Sequence, residues 1–220
     1  LTGGTISVTE EGTTEIVVTA KTKAGVAATA TTTVLIDKKA PTFNMDVVDS
    51  KGSVEDRTTN EDVTIKAVDV KDATSGVAKV EYAVIPEGSA EENYTEIVAA
   101  SGKYEVDYPV AEAFTGTVKV RVTDKAGYET VKSMKINIDK KAPLVVISKS
   151  NEEDYSKENV NVFVTVTANA EYSDVASVTY TVNGGAEKEL ALTGGTISVT
   201  EEGTTEIVVT AKTKAGVAAT

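Results

Sequence analysis

The sequence predicts an all-β protein made of antiparallel β-sandwich domains arranged in tandem. Three observations lead to this fold class. Valine and threonine are abundant, and apolar residues alternate with polar ones in short runs such as 118–122 and 160–167, which is the period of a half-buried strand. Glycine-containing turn sequences, such as Ser75-Gly76 and Asn183-Gly184-Gly185, separate these runs. No segment carries an apolar stripe of helical period over the length of a helix.

Each domain is expected to hold about seven short strands in about 95 residues, as a two-sheet sandwich does. Tyr82 and Tyr180 fall in phase with the apolar valines and are predicted to lie in the cores, whereas Phe163 is out of phase and is expected to be exposed. The predicted strands are 43–48, 62–69, 77–85, 93–98, 103–108, 116–123 and 129–138 in one domain, and 144–149, 158–168, 175–183, 186–191, 195–200 and 204–211 in the next.

Two internal repeats set the predicted domain organisation. Residues 1–29 are identical to residues 192–220, and Ile36–Pro41 recurs as Ile138–Pro143. The first repeat has a period of 192 − 1 = 191 residues, and the second repeat divides this period into two homologous domains. We attribute the identical ends to duplication; an engineered fusion is the alternative. We predict that residues 1–38 are the last three strands of one domain, that 39–139 form a complete domain, and that 140–220 form a domain lacking its last strand.

The composition excludes much familiar catalytic chemistry. The 220 residues include no Cys, His or Trp, so thiol nucleophiles, imidazole bases, disulfides and Cys/His zinc sites cannot occur. We expect no enzymatic activity and no required cofactor. The formal net charge of −12 disfavours nucleic acids and anionic lipid surfaces as partners. Direct membrane insertion is not expected either, since no apolar run approaches the roughly 20 residues of a membrane helix.

Three groups of motifs carry a resemblance to a known family. They are Ser75-Gly76-Val77 with Val80-Glu81-Tyr82, Thr123-Asp124-Lys125-Ala126-Gly127, and Asp-Lys-Lys-Ala-Pro at 37–41 and 139–143. In this order they resemble the bacterial Ig-like domains found in tandem in surface adhesins, S-layer-associated proteins and secreted wall enzymes. The second domain departs from the pattern at residues 169–174 and at Lys212-Thr213-Lys214.

The resemblance implies a secreted protein of the bacterial cell surface, in which tandem Ig-like domains form the stalk, fibre or spacer of an adhesin or surface filament. The junctions fit this role. Pro41 and Pro143 restrict the backbone on both sides of very short connections, so the array should behave as a jointed rod whose partners are the neighbouring repeats of the same chain.

The best candidate site is a group of carboxylates that the topology brings together. In an Ig-like sandwich the loop between the second and third strands and the hairpin between the last two strands lie at the pole where the chain arrives. Oxygen ligands from separate segments suit calcium, which would stiffen the junction, although loop aspartates also commonly cap turns. The candidate calcium ligands are Asp37, Asp69, Asp72 and Asp124. The second junction offers Asp139, Glu171 and Asp174, but Thr213 stands where the first has Asp124, so its site should be weaker.

Two further hypotheses concern partners. The same domains could be ligand-binding modules that contact a glycan or a host or cell-surface protein through exposed aromatic residues or polar loops. Strand addition could also join molecules head to tail, with residues 28–36 of one filling the domain at 140–220 of another. The alternative to strand addition is that the segment is a fragment, or one repeat of a longer polymer, with arbitrary limits.

Overall fold

The computed structural model of the chain describes residues 3–151, 155–168 and 171–220. These residues form strands, turns and loops and no helix, which confirms the predicted all-β fold class. No helix that could span a membrane is therefore found in the described ranges. The first two strands, β1 (Gly12–Lys21) and β2 (Ala27–Ile36), pair antiparallel and make a two-stranded sheet of their own.

The central domain is a two-sheet sandwich. Its strands are β3 (Thr42–Asp49), β4 (Gly52–Ser53), β5 (Thr58–Thr59), β6 (Val63–Lys71), β7 (Val77–Pro86), β8 (Thr95–Glu96), β9 (Tyr104–Tyr108), β10 (Ala113–Asp124) and β11 (Glu129–Asp139). One sheet has the order β4-β3-β6-β9 and the other β5-β11-β10-β7-β8. The short strand β5 runs parallel to β11, and the other pairs are antiparallel.

Alternation along the strands places one face of each sheet in the core. Val118, Val120 and Val122 of β10 are fully buried, and Ile136 and Ile138 of β11 are nearly so. The opposite sheet supplies Phe43, Val47, Val63 and Ile65. Each such side chain stabilises the fold by about 1.5–3 kcal/mol relative to an exposed one. As predicted, Tyr82 packs against this core.

Gly116 allows β10 to approach β7 closely. A Cβ atom at this position would lie 2.2 Å from the Ile85 carbonyl oxygen and 2.6 Å from Cζ of Phe114. A backbone oxygen cannot move aside as a flexible side chain can, so the position requires glycine.

The C-terminal domain is a second, smaller sandwich. Its strands are β12 (Leu144–Lys149), β13 (Val160–Thr167), β14 (Val175–Val182), β15 (Lys188–Glu189), β16 (Gly194–Val199), β17 (Ile207–Thr213) and β18 (Ala218–Ala219). The sheets have the orders β12-β13-β16 and β15-β14-β17-β18. Tyr180 packs on the core, and Phe163 is 43% exposed, as predicted for both.

The strands differ from the prediction mainly at sheet edges. The segments predicted at 93–98 and 186–191 reduce to the two-residue strands β8 and β15, each of which lies at the edge of a sheet. The short strands β4 and β5 were not expected, since two-residue segments show no alternation. The domain limits at 38/39 and 139/140 stay predictions.

The two identical segments are buried differently. Val18 of β1 and Val209 of β17 occupy the same place in the repeated sequence, yet their exposed fractions are 50% and 2%. Strand β17 packs on the C-terminal core, whereas β1 pairs with β2 alone.

Candidate metal centre

Three of the four aspartates predicted at the first junction come together at one pole of the central sandwich. Asp37 follows β2 directly, Asp72 follows β6, and Asp124 is the last residue of β10. One carboxylate oxygen from each lies within 4.8 Å of the others. The β7–β10 register shifts between Thr123 and Asp124, and both residues are buried, whereas a regular strand would turn one of two successive side chains outward.

Asp72 is held by the turn that it begins. Its Oδ1 accepts hydrogen bonds from the backbone N–H of Thr74 (3.1 Å) and of Gly76 (2.6 Å), and from the Ser75 hydroxyl (3.4 Å). Gly76 has a φ of 81°, which favours glycine. The sequence Asp-Ala-Thr-Ser-Gly thus fixes the direction of this carboxylate locally.

Asp37 is attached to the same turn. The backbone N–H of Ser75 donates to its Oδ2 at 3.0 Å, and the backbone N–H of Lys39 donates to its Oδ1 at 3.1 Å. Hydrogen bonding from Ser75, followed by that from Lys39, lowers the pKa of Asp37 below its usual value. The junction residue is therefore held in its ionised form against the loop of the next domain.

Asp124 is the most buried of the three, with 2% of the residue exposed. Its Oδ1 accepts hydrogen bonds from the backbone N–H of Ala126 (2.8 Å) and Tyr128 (3.0 Å), so it caps the β10–β11 turn. Its Oδ2 is buried and has no hydrogen-bond partner among the described residues. A buried acceptor without a donor costs about 1–3 kcal/mol, and more if charged.

No basic side chain of the described residues forms an ion pair with the cluster. None of the ion pairs in the described ranges involves Asp37, Asp72 or Asp124. Nearby Lys39 is paired instead with Glu11 at 2.7 Å. Close carboxylates repel one another, and a cation bound between them removes that repulsion. The aspartate triad could therefore hold a metal ion such as calcium, which prefers oxygen ligands.

The fourth predicted ligand, Asp69, lies outside this cluster. It is exposed, has a φ of 54°, and accepts a hydrogen bond from Asn44 Nδ2 at 3.3 Å. Asp69 is still within β6, three residues before Asp72, and its side chain is bonded to β3 rather than to the loop that reaches the junction.

At the second junction the predicted acidic residues are not assembled into such a group within the described ranges. Asp139 is fully buried; its Oδ1 accepts from the Lys141 N–H, and its Oδ2 has no partner in the described part of the chain. Asp174 forms an exposed ion pair with Lys214 at 2.7 Å, and Glu171 is exposed.

Thr213 occupies at the second junction the position that Asp124 occupies at the first, and it explains why a carboxylate is missing there. Its Oγ1 accepts the Val217 N–H at 3.2 Å, as Asp124 Oδ1 accepts that of Tyr128. The threonine thus caps the corresponding turn without supplying a carboxylate. Residues 169 and 170, part of the loop in which the second domain departs from the family pattern, lie outside the described residues.

Asn137 forms a contact between domains that the sequence did not reveal. Its Nδ2 donates to the Tyr172 carbonyl at 2.7 Å and to the Thr58 hydroxyl at 3.0 Å, and its Oδ1 accepts from the Thr115 hydroxyl at 2.9 Å. Asn137 alternates with the buried Ile136 and Ile138, so its side chain points away from the core of its own domain, but alternation carries no information about the neighbouring domain.

The central domain also carries an open groove of about 690 Å³ beside β5, β10 and β11. Its described lining contains no aromatic residue. The most exposed aromatic residues are on other elements: Tyr128 in the β10–β11 turn, Tyr155 before β13, and Phe163 on β13. A groove without aromatic side chains offers no stacking platform for a sugar ring.

The strand orders define the class of this chain: tandem β-sandwich modules of the Ig-like and fibronectin type III kind. No protein-family model and no curated protein matches the sequence. Among solved structures, the fibronectin(III)-like modules of Clostridium thermocellum CbhA are similar at 20% identity and a TM-score of 0.38, covering 81% of this chain and 90% of theirs. The FN1–FN3 domains of chicken CNTN1 are similar at 14% identity and a TM-score of 0.31, covering 90% of this chain and 72% of theirs.

Proposed function

We propose that the chain is a structural segment of an extracellular bacterial surface protein, an adhesin stalk or surface filament, and that calcium stiffens its first domain junction. The proposal assigns it no catalytic role. The observation that carries it is the triad of Asp37, Asp72 and Asp124, which joins the connection between domains to two separate loops of the central sandwich. A cation held there would link the junction to the body of the domain.

The junctions themselves support a spacer role. Residues 37–41 separate β2 from β3, and residues 140–143 separate β11 from β12. Pro41 and Pro143 are both buried, and the Thr130 hydroxyl donates to the Pro41 carbonyl at 2.5 Å. Connections of this length, anchored by buried proline, leave few backbone torsions free to act as a hinge.

A calcium titration of the full chain tests the metal site. Isothermal titration calorimetry should give one tight site, and calcium should raise the melting temperature of the central domain. D72N should weaken binding by at least about tenfold, which corresponds to about 1.4 kcal/mol. This substitution keeps the Oδ1 acceptor that the turn requires. D69N, on the same strand–loop segment but outside the triad, is the matched control and should leave the affinity unchanged. An unaltered melting temperature with calcium would refute the site.

Small-angle X-ray scattering tests the mechanical role separately. Calcium should narrow the distribution of distances between domains in the wild-type chain and should have no such effect on D72N. If wild type binds calcium but scatters identically with and without it, the metal site stands and its role in stiffening the junction does not.

A further inference from the structure

A glutamate from the segment before β1 reaches the turn that holds Asp72. Glu11 Oε1 pairs with the Lys39 ammonium at 2.7 Å and accepts a hydrogen bond from the Thr74 hydroxyl at 3.3 Å. The backbone N–H of Thr74 is in turn one of the donors to Asp72. Glu11 therefore connects the segment that precedes the first junction, the junction itself and the turn of the aspartate triad.

Lys39 is placed where its ammonium group would neutralise the triad. Its backbone N–H donates to Asp37 Oδ1 at 3.1 Å, so the side chain starts at the cluster. That side chain is 72% exposed, so little packing restrains it, whereas the side chain of Glu11 is 27% exposed. An ammonium brought to Asp37 would compete with a divalent cation for the same carboxylates. The ion pair with Glu11 directs the ammonium to another partner.

The second junction has neither the triad nor this glutamate. Ala113 stands there at the position of Glu11, and Lys141 is the counterpart of Lys39. Two strand pairs set this correspondence: Gly12 with Ile36, and Phe114 with Ile138. Lys141 forms no ion pair within the described ranges. A glutamate that restrains the junction lysine thus occurs at the junction where the aspartates assemble.

A second lysine lies close to the same turn and offers a comparison of equal charge. The Lys125 Nζ atom is 3.6 Å from the position that a Cβ atom would take on Gly76, whose N–H is bonded to Asp72. In the described part of the chain no ion pair joins Lys125 to Glu11. The charge of Lys125 therefore acts on the triad without being held by Glu11.

We propose that Glu11 is a positioning residue of the calcium site: it holds the Lys39 ammonium off the aspartate triad and so leaves the carboxylates free for a cation. This inference rests on the proposed function. Its consequence is that the segment before the junction sets the calcium affinity of the domain that follows. Calcium at the triad repels the Lys39 ammonium toward Glu11, so by linkage metal binding and this contact strengthen each other.

Isothermal calcium titrations of full-chain variants at one ionic strength test the proposal. E11Q releases Lys39 and should weaken binding about fivefold, the order expected when a unit charge comes within roughly 8 Å of a divalent ion in a water-like medium. K39Q should tighten binding about twofold by the same Coulomb argument. E11Q should then cost less than about twofold in the K39Q background but the full factor in the K125Q background. E10Q, which neutralises the exposed neighbouring glutamate, is the matched control and should bind like wild type.

Thermal unfolding in chelator separates this role from a merely structural one. Without a cation the released Lys39 pairs with the triad, so E11Q should melt no lower than wild type in chelator and lower than wild type in calcium. Three results would overturn the inference and leave the calcium site in place: wild-type affinity of E11Q, an equal loss in the K39Q background, or a lower melting temperature of E11Q in chelator. A wild-type chain that binds no calcium would refute the proposed function and this inference with it.

Discussion

The substitution D124N should have opposite effects on stability with and without calcium. Asparagine keeps the Oδ1 acceptor that caps the turn through Ala126 and Tyr128. It replaces Oδ2, which is buried without a hydrogen-bond partner in the described structure, by an NH2 group. That group is a donor placed near the carboxylates of Asp37 and Asp72. The variant therefore relieves a repulsion and loses a ligand at the same time.

The magnitudes follow from these two effects. Without a cation, an unpaired buried acceptor costs about 1–3 kcal/mol, so D124N should be more stable than wild type by about that amount. With free calcium at about 1,000 times the dissociation constant, wild type gains about 4.1 kcal/mol, more than that difference, and the variant gains much less. The order of stability should then reverse. For a domain of this size about 1 kcal/mol moves the melting temperature by roughly 4–8 °C.

Differential scanning calorimetry in chelator and in calcium measures the effect. The transition of the central domain should move, and that of the C-terminal domain should stay. D69N serves as the control of equal charge change and should show no reversal. The reasoning is wrong if D124N is less stable than wild type in both buffers, or if calcium raises both melting temperatures equally.

Four other substitutions test the packing and the electrostatics of the fold. V209A should cost about 1.5–3 kcal/mol in denaturant unfolding of the C-terminal domain, whereas V18A in the identical segment should change stability by less than about 0.5 kcal/mol. Asp49 has a fully buried side chain, and its pKa is lowered mainly by the hydrogen bond from Arg57. The carboxylate therefore stabilises the fold above its unfolded pKa of about 3.9, and this contribution is lost as the pH falls toward the folded value. The advantage of wild type over D49N in urea melts should accordingly be full near neutral pH and shrink below about pH 5. G116A should destabilise the central domain by about 3 kcal/mol or more, because its Cβ would meet a backbone oxygen of β7.

Specific results would contradict each of these expectations. Equal losses for the two valine variants would mean that β1 is packed as β17 is. Parallel stability curves of wild type and D49N from pH 7 to acid would show that Asp49 has a normal pKa in the folded state. A G116A variant with the melting temperature of wild type would show that β10 and β7 do not approach each other closely at residue 116.

Much of the fold could be predicted because the alternation of apolar and polar residues in a strand is visible in a short stretch of sequence. Period-two alternation placed the long strands to within a few residues, and inward phase identified Tyr82 and Tyr180 as core residues. Short strands escaped detection: β5 lies parallel to β11 through residues 58 and 59, which are distant in sequence from their partners. A pairing between separated segments leaves no periodic signal in either one.

The candidate site was predictable as a location and only partly as a set of ligands. Strand topology indicated the pole where Asp37, Asp72 and Asp124 meet. It did not separate Asp72 from Asp69, because that choice depends on the conformation of the end of β6, where Asp69 adopts a positive φ and bonds to the neighbouring strand. The donors of Ser75 and the unpartnered Oδ2 of Asp124 are likewise consequences of packing.

By itself the sequence determined the all-β class, the positions of the long strands, the two repeats and the absence of thiol and imidazole chemistry. Only the tertiary structure decided which side chains are buried. Val18 and Val209 show the reason: the same 29 residues form a strand in both places, but burial depends on the second layer that covers it. Local alternation specifies that a strand has an apolar face, and contacts with distant segments decide whether that face lies in a core.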